Sequence, residues 1–172
     1  MSTRRLFFAL WPDHRQRDRM RDFISPLANL VEGRAIDRRN WHITLVYIGE
    51  FPEDRIDELH EAKQAVTVEP FRLRFDRLEF WPRPKIAALV PPTMPPELER
   101  LVEDLRGRVF AAGVNPEHQR IYRPHVTIVR NARPFETQRL AQSAVVEWSN
   151  FELVESVSET GGVTYRPLVK DF

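Results

Sequence analysis

His42 and Thr44 stand two residues apart in NWHITLVYIG, which begins at Asn40, and His125 and Thr127 repeat that spacing in YRPHVTIVRN, which begins at Tyr122. Both runs are rich in β-branched and aromatic residues, as strands are. Alternate side chains of a strand share a face. His42 and Thr44 therefore project together with Ile43 and Leu45 behind them, and His125 and Thr127 do so with Val126 and Ile128 behind. Two imidazoles suit general acid–base chemistry, because the free ring titrates at about pH 6.5. A neutral ring can take a proton from water while a protonated ring delivers one to a departing oxygen, each role worth about 10²–10⁴ in rate. In-line displacement at phosphorus needs the base and the acid on opposite sides of the reacting atom, as two facing His-x-Thr pairs would supply. Thr44 and Thr127 would donate to the non-bridging oxygens, and Arg130, which ends the second run, would offset their charge.

Arg130 sets a geometric condition. It lies five positions after His125, an odd offset, so a regular strand aims it at the opposite face. The reading needs the strand to end, twist or bulge near Val129. Its counterpart in the first run is Tyr47, so the two halves of the site differ, as two histidines with different tasks would require. Metal binding is the competing use of paired histidines. Zinc takes three or four ligands, and neither strand offers a carboxylate or a second histidine beside the first. No metal and no cofactor are expected.

The elements that must position these residues recur in order. RRLFFALWP (4–12) reads as a buried strand stopped by Pro12, and KIAALVP (85–91) as a second stopped by Pro91. A helix follows each. Residues 13–33 have Asp13 as cap, Met20, Phe23, Ile24, Leu27 and Leu30 on one face, and Pro26 as a kink. Residues 95–114 have Leu98, Leu101, Val102, Leu105 and Val109 on one face and Gly113 as the stop. Then comes a His-strand each time. Residues 52–66 read as a polar amphipathic helix, and 71–81 as a strand with Phe71, Leu73 and Phe75 on one face and Arg72, Arg74 and Asp76 on the other. Residues 144–158 and 163–172 read as a closing hairpin around Gly161-Gly162. His42 and His125 are 83 positions apart and Leu6 and Ile86 are 80 apart, near enough to one period to indicate an internal duplication. The expected architecture is α+β: one bilobal domain over 1–172, with lobes of roughly 1–82 and 83–172 and room for strand exchange between them. Each lobe is an antiparallel sheet with outer helices, and a pseudo-twofold axis sets the pair around a central cleft.

Composition narrows the partners. The chain has 172 residues, is 42% hydrophobic and carries a formal charge of +1, so it is no polycation built for long duplexes. All but three of its 26 basic residues are arginine, which suits bidentate phosphate recognition, although a general arginine bias gives the same skew. Without cysteine, disulfides and thiolate catalysis are excluded. The apolar LFFALW is too short for a signal-peptide core, and no run could span a bilayer. A cytoplasmic protein is expected, with no membrane partner.

At HITL (42–45) and HVTI (125–128) the chain resembles the 2H phosphoesterase superfamily, whose members carry two His-x-Thr/Ser-x motifs with an apolar fourth position. Within it the chain is most similar to the RNA 2′,3′-cyclic phosphodiesterases, also called 2′-5′ RNA ligases. The resemblance covers nearly the whole chain: RLFFALWP looks like their opening strand, NWHITLVYIGE like their first motif, YRPHVTIVR like their second, and ESVSETGGVTYRPL like their ending. VYIG departs mildly from the commoner xFLG. The resemblance implies a LigT-like fold and metal-independent opening of a terminal 2′,3′-cyclic phosphate to a 2′-phosphomonoester. It implies that His42 protonates the leaving 3′ oxygen, that His125 activates water, and that Thr44, Thr127 and Arg130 hold the phosphate. Some members also join RNA halves through a 2′-5′ bond or reverse that joining.

The expected partners are RNA ends or nucleotides bearing a 2′,3′-cyclic phosphate, met by a monomer. Two rivals stay open: a nucleotide- or RNA-end-binding module with little chemistry, and a cyclic phosphodiesterase acting on small nucleotides. Phe7, Trp41 and Tyr122 lie near strand ends, where a ring can stack on a base or pack in the core; Tyr122 is carried forward as a substrate contact. The arginine face of FRLRFDR could follow an RNA backbone or be plainly solvated. His14, His60 and His118 read as solvated.

Overall fold

Apolar residues on both faces mark the two central strands. β1 (Thr3–Leu10) and β5 (Ile86–Val90) bury Leu6 to Leu10 and Ile86 to Val90 without a break, as a strand covered on both sides must. The computed structural model describes residues 2–116 and 121–170; His118 lies outside them. One face of β1 (Leu6, Phe8, Leu10) and one face of β5 (Ala87, Leu89) enter the main core. The other faces form two smaller clusters, Phe7 and Ala9 with Val154, and Ile86, Ala88 and Val90.

The helices close the main core. α1 (His14–Ala28) opens with a capping box, in which Asp13 accepts from the Gln16 amide at 2.8 Å and Gln16 accepts from the Asp13 amide at 2.8 Å. It buries Met20 and Ile24 and ends two residues after Pro26, so Leu30, expected on its apolar face, is exposed beyond the helix. α2 (Ile56–Ala65) buries Leu59 and also His60, which the sequence placed in solvent; its packing against α3 and β8 encloses that face. α3 (Pro96–Ala111) buries all five of the residues expected on its face, and Gly113 follows at φ +92°. Among the described residues no helix is long and apolar enough to cross a membrane.

The remaining strands are β2 (Arg34–Ala35), β3 (Ile43–Pro52), β4 (Phe71–Trp81), β6 (Val126–Arg130), β7 (Gln138–Trp148), β8 (Glu152–Glu159) and β9 (Gly162–Pro167). They form two antiparallel sheets, ordered β3-β1-β8-β9 and β2-β6-β5-β4-β7. In each sheet the His-strand pairs with the doubly buried strand. The next position is filled from the other half of the sequence: β8 stands beside β1, and β4 beside β5. The chain is thus an α+β protein of two antiparallel sheets with reciprocally exchanged strands. Residues 144–158 do not run as one strand. They break at Ser149–Phe151, where the Asn150 side chain accepts from the Phe151 amide at 2.9 Å, and β7 and β8 go to different sheets.

Candidate active site

The condition on Arg130 is met in the pairing of β5 with β6. Ala88 faces Thr127 and Ala87 faces Val129, so Ile128 is an extra residue and the register shifts there. Ile128 and Val129 are consecutively buried, and the strand leaves the bulge with its faces exchanged. Arg130 therefore emerges on the face of Thr127. β3 does the same against β1: Ala9 faces Thr44, Phe8 faces Val46, and Leu45 is the extra residue. Leu45 and Val46 are both buried and Tyr47 emerges, 57% exposed, on the face of Thr44. As a result His42, Thr44, Tyr47, Thr127 and Arg130 line one cavity of about 290 Å³. His125 lines an adjoining cleft of about 1010 Å³ that shares Thr44 and Tyr47 with it.

Each histidine sits just before its strand and is held alike. His42 Nδ1 lies 2.8 Å from the carbonyl of Asn40, and His125 Nδ1 lies 2.9 Å from the carbonyl of Arg123. A carbonyl only accepts, so Nδ1 carries the hydrogen in both rings and Nε2 is left as the nitrogen that can take or give a proton. His42 Nε2 lies 3.0 Å from Thr44 Oγ1, whose hydroxyl donates to it while the ring is neutral.

The flanks of the rings differ. Phe7 (5.0 Å), Tyr165 (5.0 Å, edge-on) and Trp11 (6.1 Å) surround His42, whereas Trp81 lies 4.3 Å from His125. Burial, with the charges of His125, Arg130 and Arg17, lowers the His42 imidazole to about 4 against the pull of the Asn40 carbonyl. His125 is lowered as well, by burial and then by the Arg123 charge, with the Arg123 carbonyl opposing. Both shifts favour the neutral imidazole. Among the described residues no three His, Asp or Glu side chains converge as a metal ligand set.

A family model described as the 2′-5′ RNA ligase superfamily matches residues 12–155, a span that holds both His-x-Thr strands and both bulges. The chain belongs to the 2′-5′ RNA ligase superfamily. It is 30% identical to the RNA 2′,3′-cyclic phosphodiesterase of Aeropyrum pernix over 87% of this chain and 90% of that one. With its namesake from Archaeoglobus fulgidus the identity is 25%, over 95% and 97%. The fold matches that of E. coli LigT complexed with 3′-AMP at a TM-score of 0.85, with 24% identity over 98% of this chain and 97% of that chain.

In this superfamily member the phenol of Tyr122 donates to the Thr44 carbonyl at 2.8 Å, tying the loop before β6 to β3, and burial raises it above its ordinary range. Its hydroxyl is thus committed to the backbone, while its ring lines the larger cleft. Phe7 and Trp41 are buried, and His14 is exposed on α1. Arg72 meets Glu147 across the sheet at 2.7 Å and Arg77 meets Glu79 at 2.7 Å, so two of the three arginines of FRLRFDR are charge-paired. Sequence reasoning missed Tyr165, whose hydroxyl accepts from Arg130 Nη2 at 2.7 Å. It also missed Asn40, which fastens the His42 turn to β9 by donating to the Val163 carbonyl at 3.0 Å and accepting from the Tyr165 amide at 3.2 Å. The available signal was the hairpin ending itself: a tyrosine three residues after Gly161-Gly162 on a strand next to β8.

Proposed function

We propose that the chain opens the 2′,3′-cyclic phosphate at an RNA end to a 2′-phosphomonoester, with His42 and His125 as the acid–base pair and no metal ion taking part. The observation that supports this reading is the pair of bulged His-x-Thr strands, which groups Thr44, Thr127 and Arg130 with His42 in one cavity adjoining the cleft lined by His125, the two imidazoles held in the same tautomer. The phosphate oxygens take hydrogen bonds from Thr44, Thr127 and Arg130, donors aimed where charge develops. His125 Nε2 accepts a proton from water as the water oxygen attacks phosphorus. The P–O3′ bond breaks, and His42 Nε2–H gives its proton to the 3′ oxygen. With its pKa lowered to about 4, His42 depends on the negative charge of the phosphate to hold a proton among Arg130, Arg17 and His125.

The relatives from A. pernix and A. fulgidus, named RNA 2′,3′-cyclic phosphodiesterases, support the substrate class. The superfamily's description supports a reverse use, in which a 5′-hydroxyl replaces water and a 2′-5′ bond forms or is undone by the same two rings. Both motifs lie on one chain, so a monomer is the working unit, acting in the cytoplasm.

A short RNA ending in a 2′,3′-cyclic phosphate tests the reading by product analysis with and without EDTA. The expected product is the 2′-phosphomonoester, formed equally with chelator. Inhibition by EDTA that zinc restores overturns the metal-free chemistry. Tight binding without product favours the RNA-end-binding module.

A further inference from the structure

We propose that Glu79 is a positioning residue for His125, acting through Trp81 and Arg123, the two groups that bracket the imidazole. The inference rests on the reading of His125 as one of the acid–base pair. Glu79 stands beside Ala88 on β4, and Ala88 stands beside Thr127, so its carboxylate lies in the row that leads to the second motif. Its Oε1 accepts from Trp81 Nε1 at 3.0 Å and from Arg123 Nη2 at 2.8 Å, and its Oε2 accepts from Arg77 Nε at 2.7 Å.

Trp81 reaches His125 with its ring, and Arg123 reaches it through its backbone carbonyl. The Trp81 ring lies 4.3 Å from the imidazole, and the Arg123 guanidinium lies 4.6 Å from the Trp81 ring. The Arg123 carbonyl fixes Nδ1 at 2.9 Å. The imidazole is thus held by a backbone carbonyl at Nδ1 and a tryptophan against its ring, and one carboxylate locks both the tryptophan and the arginine. Partial burial alone raises the Glu79 carboxyl, but the hydrogen bonds from Arg77, Trp81 and Arg123 outweigh it and hold the group at about 2, so the clamp stays ionised across the working range. The charged and titratable groups around the assembly include Arg77 with its neighbour Asp76, Arg123, the Arg83, Arg106, Tyr47 and Tyr122 side chains that line the same cleft, and His42 across the site.

Glu79 also sets the field at His125. The Arg123 charge lowers the His125 pKa, and a carboxylate oxygen 2.8 Å from that guanidinium offsets it. The two ends of this link predict opposite signs. Glu79→Gln leaves the Arg123 charge uncompensated and moves the His125 titration to lower pH; Arg123→Gln removes that charge and moves it to higher pH.

The test is an NMR titration of the His125 ring in the full-length protein and in both variants, beside kcat and KM for a cyclic-phosphate RNA. For Glu79→Gln the expected result is the downward titration shift, with kcat reduced about tenfold and KM little changed, as loosened orientation predicts. An unchanged titration in Glu79→Gln, or shifts of the same sign in the two variants, overturns the proposal. If Glu79→Gln does not fold, the exposed Arg123→Gln decides, and no upward shift there overturns it. The titration does not need turnover, so failure of the unaltered protein to open a cyclic phosphate sinks the reading of the site without deciding the role of Glu79.

Discussion

Tyr47 and Arg130 occupy the same place in two related strands: each lies three residues beyond a motif threonine and is turned onto that threonine's face by a single extra residue. A phenol stands at one and a guanidinium at the other, so the two strands contribute unequally to the cavity. Arg130 also donates to the Tyr165 hydroxyl at 2.7 Å.

Arg130→Ala should lower kcat/KM for a cyclic-phosphate RNA by about 10²–10³, the usual loss when a charge-stabilising donor is removed. Tyr47→Ala should cost far less, since its ring supplies no charge. Steady-state kinetics on the two variants give the ratio, and equal losses would contradict the assignment of Arg130 to the phosphate.

His42→Ala and His125→Ala should each reduce single-turnover rates by about 10²–10⁴. The double variant should fall well short of the product of the two losses, because the rings act on one displacement. A single replacement that leaves the rate intact removes that ring from the chemistry.

The depressed His42 pKa has a signed consequence for binding. An anion raises the pKa of the ring it meets, so between about 4 and the bound value each anion captured brings a proton with it. Affinity for sulfate, which does not titrate in this range, should therefore fall as pH rises, and the slope should shrink in His42→Gln. Calorimetry across pH measures both, and a flat profile in the unaltered protein excludes the coupling.

The same ring destabilises the fold in acid. Its folded pKa of about 4 lies below the unfolded value near 6.5, so the unfolded chain binds more protons and stability falls as pH drops from about 6.5 through 4. Between pH 7 and 5 the loss due to His42 is at most about 2 kcal/mol. Urea unfolding at the two values should show a smaller drop in His42→Gln than in the unaltered protein.

Tyr122→Phe should leave the Thr44 carbonyl without its donor and cost about 1–3 kcal/mol of stability. Denaturant midpoints measure the loss. A large rise in KM at unchanged stability would instead make the phenol a substrate contact.

The readable parts of the site were those encoded locally. His42 with Thr44, and His125 with Thr127, announce themselves by a spacing of two on apolar strands, and the need for a bulge before Arg130 followed from an odd offset. Which residue bulges is a matter of register against β1 and β5, and that register is written in the partner strand. Trp81, Glu79 and Tyr165 escaped for a related reason: they reach the histidines across sheets assembled from distant segments, so no local pattern joins them. Residues 144–158 read as one strand because their β propensity runs past Ser149-Asn150, while the turn there sends the two parts to opposite sheets. His60 was misplaced because its helix is polar overall, and only the packing of α2 against α3 and β8 closes over it.

The exchange of β4 and β8 bears on how this molecule can be divided. Cutting the chain at its internal repeat would give two fragments, each lacking an inner neighbour for its own central strand and holding a surplus strand meant for the other. Neither fragment could shelter its apolar edge alone, yet the two are complementary. Co-expressed halves should therefore find each other and rebuild one molecule, and with it one set of paired imidazoles.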